Sequence, residues 1–335
     1  MARLRGTFIA VMRAAWYERQ GPAHEVLQVG EMGAPEPGPG EIRLAVRASG
    51  VNPGEVKKRG DTFGQGMPYP RVIPHSDGAG LIDAVGPGVS PERLGERVWC
   101  HGAQSYRPFG TAAEFCVVPS EQGISLPDGA SFEQGACLGI PGITAHRCVF
   151  AAGDVTGKTV LVQGGAGAVG RCAAHLATTS GARVLAVVRS QAQADELRRS
   201  SDAEVLIGGD GLAERIRTIA PGGMDHIVEV AFGANIRIDT EVLAPNGSVS
   251  VYATDVAEPH VAVWPLVFKN ATIHFMGSDD FSPAAKLQAA LALNAALEAG
   301  WSGLPIAGTF QLDDIAAAHE AVERPSRPGK VVIVP

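Results

Sequence analysis

Short apolar runs alternate with helical segments from Lys158 onward, and this alternation constrains the fold more than any other feature. The runs TVLVQ, RVLAVVR, EVLI and DHIVEVA predict strands, whereas the segments between them carry the spacing of helices. Strands that alternate with helices form parallel βαβ units, because the chain must cross one face of the sheet before it enters the next parallel strand. The middle of the chain is therefore predicted to form a doubly wound parallel sheet.

The first strand of this region runs into a glycine loop. The stretch VLVQGGAGAVG places Gly165, Gly167 and Gly170 between a strand and a helix. Gly165 permits the tight turn, Gly167 lets the backbone approach a pyrophosphate, and Gly170 lets the helix pack closely on the strand. The phosphates would lie on the N–H groups that open the helix, around Ala168 and Val169. The context predicts a dinucleotide-binding loop, with a plain tight turn as the alternative.

The next strand ends on Arg189, followed by Ser190. In this fold the residue at that position meets the adenine ribose of the cofactor. An acidic residue there binds the 2′-hydroxyl of NAD, whereas a guanidinium beside a hydroxyl suits the 2′-phosphate of NADP. These two residues predict NADPH as the cofactor, and a solvated arginine at a strand end is the alternative.

Bulk composition limits the class of protein. A chain of 335 residues suggests roughly two domains. The net charge of −7 argues against nucleic acid as the main partner. Five scattered cysteines without a C-x-x-C motif predict reduced thiols and a cytoplasmic location. No apolar run approaches the ~20 residues of a membrane span, and the apolar run of the leader MARLRGTFIAVM is too short for a signal peptide. We expect no membrane association and a dispensable leader.

Residues 12 to about 136 carry strand patterns broken by glycine and proline, which predicts a β-rich region. Seven segments then point to a family: SGVNPGEVKKRG, PHSDGAGLIDAVGPGV, GERVW, GTAAEF, GIPGITAHR, VLVQGGAGAVG and GKVVIVP. Together they resemble the medium-chain dehydrogenase/reductase superfamily. Within it, the chain is most similar to the zinc-independent quinone oxidoreductases of the zeta-crystallin type.

The resemblance implies an α/β fold in two domains. A GroES-like β-rich catalytic domain would span 1–137 and be completed by 278–335, while a Rossmann doubly wound parallel-sheet domain would span 138–277, with the active site in the cleft. It also implies a homodimer or homotetramer that reduces a small-molecule quinone with hydride from NADPH. An NADPH-dependent enone or enoyl reductase is one alternative. An NADPH-binding structural or RNA-binding protein is another.

Zinc alcohol dehydrogenases are the nearest competing subfamily. Their catalytic zinc needs a cysteine, a histidine and a further cysteine or acid. Here Asn52 stands at the first position and His75 at the second, and LGIPGIT offers no ligand at the third. One candidate ligand of three cannot hold zinc, so we predict a zinc-free protein. Without a Lewis acid, reduction of an electron-poor acceptor is favoured over oxidation of a plain alcohol.

The resemblance assigns two residues near the nicotinamide. Asn52 is the candidate catalytic residue, with an amide that would bond the substrate oxygen or the ribose, and a turn residue before Pro53 is the alternative. Thr144 resembles the family threonine that faces the nicotinamide half of the cofactor. The proton donor stays open among Lys57, Tyr69 and a water molecule.

Further cofactor-binding residues are predicted at the ends of later strands. Ligands of open α/β sheets bind at the carboxyl ends of the strands. The residues that follow the runs SVSV and TIH are therefore expected beside the nicotinamide: Tyr252, Ala253, Phe275, Met276 and Gly277. Lys330, next to the last strand, is a candidate for assisting the 2′-phosphate, with a solvated surface charge as the alternative.

Overall fold

The computed structural model describes residues 10–335. Most of the predicted leader, residues 1–9, lies outside these described residues. The chain divides into two compact units. Unit 1 combines Met1–Ile140 with Trp301–Pro335, and unit 2 is Pro141–Gly300.

Fifteen strands and eleven α-helices form within the described residues. The strands are β1 Val11–Trp16, β2 Gln28–Gly33, β3 Glu41–Val51, β4 Asp77–Val85, β5 Arg97–Cys100, β6 Phe115–Pro119, β7 Gly123–Ser125, β8 Thr159–Gln163, β9 Arg183–Val188, β10 Glu204–Ile207, β11 Met224–Glu229, β12 Leu243–Val251, β13 Thr272–Phe275, β14 Ile306–Gln311 and β15 Lys330–Val334. The helices are α1 Ala23–Val26, α2 Pro53–Arg59, α3 Phe132–Gly135, α4 Gly139–Val149, α5 Ala168–Thr179, α6 Gln191–Ser200, α7 Leu212–Ile219, α8 Phe232–Val242, α9 Val263–Val267, α10 Pro283–Glu298 and α11 Ile315–Glu323.

Unit 2 is built on a six-stranded sheet in the order β10-β9-β8-β11-β12-β13. All of its strand pairs are parallel. The strands are apolar runs because helices cover both faces, and Leu161, Leu185 and Val249 are fully buried in this core. The direction in which the sheet is wound reverses between β8 and β11, which is where such sheets bind ligands. The predicted doubly wound fold is confirmed.

Unit 1 is β-rich, as predicted. Its main sheet has the order β14-β15-β3-β4-β5-β7, with β6 also paired to β3. Apart from the parallel pair β14–β15, the pairings in this sheet are antiparallel. The late strand β15 therefore lies between β14 and the early strand β3. A separate antiparallel pair, β1–β2, completes the strands of this unit.

The observed boundary between the units differs from the expected one. The sequence analysis assigned everything after residue 277 to the first domain, yet helix α10 belongs to unit 2. Its Leu293 packs against Gly142 of α4, where a β-carbon would come within 2.7 Å of the leucine side chain. The alanine-rich sequence of α10 does not indicate which unit the helix packs against, so the sequence alone could not assign it. No helix among residues 10–335 is both long and apolar enough to cross a membrane.

Candidate functional site

The glycine loop follows β8 and contacts the end of β9. The backbone N–H of Gly165 donates to the carbonyl of Val187 at 2.8 Å. A β-carbon on Gly165 would lie 2.9 Å from the side chain of Ala186. Close packing on β9 therefore requires a residue without a side chain at this position.

Gly167 and Gly170 open helix α5. A β-carbon on Gly170 would lie 2.3 Å from the carbonyl oxygen of Gly164, so only glycine lets the helix approach the loop this closely. Gly167 is the N-cap residue, and no side chain among residues 10–335 caps this helix end. The N–H groups of the first turn, including those of Ala168 and Val169, are therefore available to an anion.

The left-handed residue of the loop is Gly164, which the G-x-G-x-x-G pattern does not include. Its φ is +69°, and a side chain there would also meet Val230. The sequence analysis gave the tight turn to Gly165 instead. The doubled glycine in QGG was the signal that could have identified Gly164.

Arg189 and Ser190 directly follow β9. The Arg189 side chain is exposed, while its backbone N–H donates to Gln193 Oε1 at 2.9 Å. The Ser190 hydroxyl accepts from the Gln193 N–H at 3.3 Å and caps helix α6. Ser190 thus has a structural role, and the guanidinium of Arg189 faces solvent at the carboxyl edge of the sheet. Binding of a 2′-phosphate by these residues stays a prediction.

The other predicted residues of unit 2 follow β12 and β13. The backbone N–H of Tyr252 donates to the carbonyl of Glu229 at 3.1 Å, and that of Met276 donates to the carbonyl of Val251 at 2.8 Å. Because the sheet is parallel, these residues, Ala253 and Gly277 share one edge with the glycine loop. From β9 to β13 that edge spans four strand spacings, about 19 Å.

Two predicted side chains of unit 2 have specific surroundings. Phe275 is exposed, and the edge of its ring meets Phe232 with centroids 5.7 Å apart. Thr144 is buried in helix α4. A role of either residue toward the nicotinamide stays a prediction.

A buried carboxyl pair lies below the same edge, and sequence reasoning missed it. Glu229, the last residue of β11, accepts from Asn235 Nδ2 at 3.0 Å. Asp239 of α8 accepts from Gln163, the last residue of β8, at 2.9 Å. Burial and the charge of Glu229 raise the pKa of Asp239 well above its ordinary value. The pair links β8, β11 and α8 beside the glycine loop, and no short-range sequence signal connects its members.

Asn52, in unit 1, is buried, and both N–H groups of its amide donate to neighbouring carboxylates. Nδ2 donates to Asp77 at 2.7 Å and to Glu55 at 3.2 Å, while Oδ1 accepts from Lys330. The backbone N–H of Asn52 donates to Glu55, which completes a capping box for helix α2. Both N–H groups of the amide are thus used within the protein, and a role of Asn52 toward substrate or nicotinamide stays a prediction.

Lys330 lies elsewhere than predicted. It is the first residue of β15 and only 4 % exposed, and its ammonium donates to the carbonyl of Val51 at 2.9 Å and to Asn52. It is therefore neither a surface charge nor free to bind a 2′-phosphate. Of the candidate proton donors, Lys57 is exposed on α2, and Tyr69 is partly buried against the apolar cluster of Tyr17, Val26 and Val72.

A directed chain of buried hydrogen bonds runs from His319 through His75 and Ser49 to Thr111. The Thr111 hydroxyl donates to the carbonyl of Asp77, so it accepts from Ser49, 2.7 Å away. Ser49 then accepts from His75 Nδ1 at 2.8 Å, which leaves His75 Nε2 to accept from His319 Nε2 at 2.9 Å. Burial lowers the pKa of both rings, so both are neutral. His319 Nδ1 has no partner among residues 10–335.

Comparison with known proteins gives a consistent family. Residues 38–128 match the family described as "Alcohol dehydrogenase GroES-like domain", and residues 168–292 match "Zinc-binding dehydrogenase". The rat quinone oxidoreductase is 31% identical over 95% of this chain and 96% of its own length. The chain belongs to the quinone oxidoreductase family of medium-chain dehydrogenases/reductases. The human quinone oxidoreductase is 29% identical over 95% of the chain and 96% of its own length.

Solved structures of related proteins share the fold of this family member. The mycobacterial protein Rv1454c, complexed with NADPH, has a TM-score of 0.84 and 26% identity, covering 97% of this chain and all of its own. An alcohol dehydrogenase superfamily protein from Novosphingobium aromaticivorans has a TM-score of 0.87 and 26% identity, covering 97% of this chain and 99% of its own. This chain is thus an oxidoreductase of the medium-chain superfamily.

The zinc implied by one matched family description does not fit the residues of this quinone oxidoreductase family member. Asn52, at the first ligand position, has its amide committed to other side chains. His75, at the second, uses one nitrogen toward Ser49 and the other toward His319. Within residues 10–335, no group of three or more histidine, cysteine or acidic residues could hold a metal ion.

Proposed function

We propose that this chain is an NADPH-dependent reductase that transfers hydride to quinones without a metal ion. The observation that carries the cofactor choice is the exposed guanidinium of Arg189 at the carboxyl end of β9. The name of the rat relative, quinone oxidoreductase, supports the acceptor class. The NADPH complex of the mycobacterial neighbour supports the cofactor.

Different residues of unit 2 bind different parts of NADPH. Backbone N–H groups at the start of α5, around Ala168, hold the pyrophosphate, and the absence of a β-carbon at Gly167 lets it approach. Arg189 pairs with the 2′-phosphate, and the hydroxyl of Ser190 adds a donor that its capping role leaves unused. When bound, NADPH supplies the hydride.

The nicotinamide end is held by the residues after β12 and β13. Backbone groups of Tyr252, Ala253 and Gly277 lie at the strand ends, where an open parallel sheet binds its ligand. Alignment of donor and acceptor is the main requirement, because a quinone is already electron-poor and needs no Lewis acid. One hydride and one proton together convert the quinone to the hydroquinone.

Anaerobic oxidation of NADPH and NADH tests this proposal, with a quinone and a 2-enal offered separately. We expect quinone turnover with NADPH preferred. Replacing Arg189 with glutamate should lower kcat/KM for NADPH on the order of 10²-fold, because a charge-assisted hydrogen bond becomes a repulsion. Arg183→Glu, at the other end of the same strand, is the matched control. Preference for NADH would contradict the role of Arg189, and turnover of the enal alone would make the protein an enone reductase.

We further propose that the protein is a homodimer joined through unit 2. Among residues 10–335, strand β13 pairs only with β12, so its outer edge presents backbone groups that none of these residues pairs. The segment around it carries large exposed apolar side chains, with Trp264 69% and Phe268 82% exposed and their rings stacked at 5.9 Å. A second copy would cover both the edge and these rings.

We also propose a cytoplasmic location. All five cysteines are free and buried, and none is paired in a disulfide. Reduced thiols are typical of the cytosol. Cell fractionation with an antibody against the native protein tests this, and recovery with secreted proteins would contradict it.

A further inference from the structure

Lys330 reaches a position in unit 1 where a buried cation is needed. Glu55 and Asp77 are both buried, and N–H donors surround them: the backbones of Asn52 and Ser76 for Glu55, and that of Ile140 for Asp77. Donors of this kind favour the ionised carboxylate, but they carry no full positive charge. A full positive charge is needed to offset the desolvation of two buried carboxylates and the repulsion between them.

The amide of Asn52 lies between the ammonium and the carboxylates. Its oxygen accepts from Lys330, and its nitrogen donates to Asp77 and Glu55. Turning the amide over would point N–H groups at the ammonium and oxygen at the carboxylates, so every one of these contacts would be lost. The positive charge on one side and the negative charges on the other therefore fix a single orientation.

The charge of Lys330 acts on both acids. Burial raises the pKa of both acids, that of Asp77 to about 7, even though the nearby ammonium acts to lower both. The same ammonium donates to the carbonyl of Val51, the last residue of β3. Lys330 thus contacts the strand end, the amide and, through charge, the two carboxylates.

We propose that Lys330 is the resident cation of the buried acid pair Glu55 and Asp77, and that its ammonium occupies a binding site specific for a primary alkylammonium. The site is lined by the Val51 carbonyl and the Asn52 amide oxygen, with the carboxylates of Glu55 and Asp77 behind them. Removing the side chain beyond Cβ should leave a cavity that takes n-propylammonium, which has the same heavy atoms.

Thermal unfolding of Lys330→Ala with added amines tests this site. The variant should unfold about 10 °C below the unmodified protein, because an uncompensated buried charge remains. Millimolar n-propylammonium should restore at least half of this loss, and the recovery should saturate as ligand binding requires. Tetramethylammonium, which has no N–H donor, and 1-propanol, which has no charge, should restore none of it.

The matched control is Lys269→Ala. Lys269 also donates to backbone carbonyls, those of Glu241 and Leu243, but among residues 10–335 no buried carboxylate faces it. Propylammonium should leave its midpoint unchanged. Absence of recovery in Lys330→Ala, or equal recovery with tetramethylammonium, would overturn the proposal. The readout needs no substrate, so failure of the quinone assay would not affect it.

A second variant decides the case in which Lys330→Ala does not fold. Combining it with Asp77→Asn removes one of the two carboxylates that lost their cation. If Lys330 acts through charge, the double variant should fold although the single variant does not. A double variant that is also unfolded would show that removing one negative charge does not compensate for the lost ammonium, and would refute the proposal.

Discussion

The neutral histidine pair of unit 1 makes a quantitative prediction about acid stability. His319 is fully buried, and its Nε2 donates to His75 while Nδ1 has no acceptor among the described residues. Protonation would place an N–H without a partner in the core, close to the charge of Arg59. Burial, with a smaller contribution from Arg59, lowers the pKa of His319 to about 3.

The sign and size of the effect follow from linkage. With an unfolded pKa of about 6.5, the unfolded chain binds a proton below that pH, whereas the folded chain does not until about pH 3. The contribution of His319 is therefore complete above pH 6.5 and is lost as the pH falls toward 3. Between pH 7.5 and 5.0 it amounts to about 2 kcal/mol of unfolding free energy, from about 1.5 pKa units at 1.36 kcal/mol each.

The variant His319→Gln isolates this term, because a glutamine amide can still donate to His75 without titrating. Measured on the unmodified protein alone, the loss of stability would be masked by Asp77. Its pKa of about 7 makes its contribution to the free energy of unfolding increase as the pH falls. The quantity to measure is therefore the difference between variant and unmodified protein.

Urea unfolding at pH 7.5 and 5.0, followed by fluorescence of the buried Trp99, gives that difference. We expect the unmodified protein to lose about 2 kcal/mol more than His319→Gln over this interval. His24→Gln, which changes an exposed histidine of the same unit, should follow the unmodified protein. Equal losses in His319→Gln and the unmodified protein would refute a neutral, desolvated His319.

Three further predictions concern the loop, the dimer and the thiols. Gly170→Ala should destabilise unit 2 by about 1–3 kcal/mol in urea unfolding, because the new methyl group would lie 2.3 Å from the Gly164 carbonyl oxygen. The variant should also show no NADPH binding in a fluorescence titration, and unchanged binding would contradict the close approach. The double variant Trp264→Glu, Phe268→Glu should sediment as a monomer, whereas Phe63→Glu in unit 1 should not change the mass; a dimer in both would move the interface elsewhere. All five cysteines are buried, and burial raises the pKa of four of their thiols to about 12. None should therefore react with a disulfide reagent at pH 8 until urea exposes all five, and fast reaction of the native protein would contradict this.

The parts of the fold that depend on local pattern could be predicted from the sequence. Buried strand runs and the loop between β8 and α5 have signals within a few residues, so the doubly wound sheet and the close packing at Gly170 were predicted correctly. The position of Arg189 at a strand end followed from the same pattern. What its side chain binds is not a property of the pattern, and the assay above decides it.

The parts that depend on contacts between distant segments could not be predicted. Asn52 and Lys330 are 278 positions apart, and nothing near either residue shows that they meet. A buried lysine and a surface lysine look alike in sequence, because burial is set by the partner. The same holds for Glu229 and Asp239, which a strand and a helix bring together, and for helix α10, whose composition did not reveal its unit.

The place of β15 in the sheet of unit 1 has a consequence for synthesis. On the ribosome, all of unit 2 is made before β14 and β15, so its parallel sheet can close while unit 1 is still incomplete. Until β15 arrives, the end of β3, residues 49–51, has an open edge and the acids beside Asn52 have no ammonium. The newly synthesised first half therefore cannot complete its sheet until β15 is made, and its strand edge stays exposed to aggregation or to a chaperone. The residues translated late thus determine when those translated early can fold.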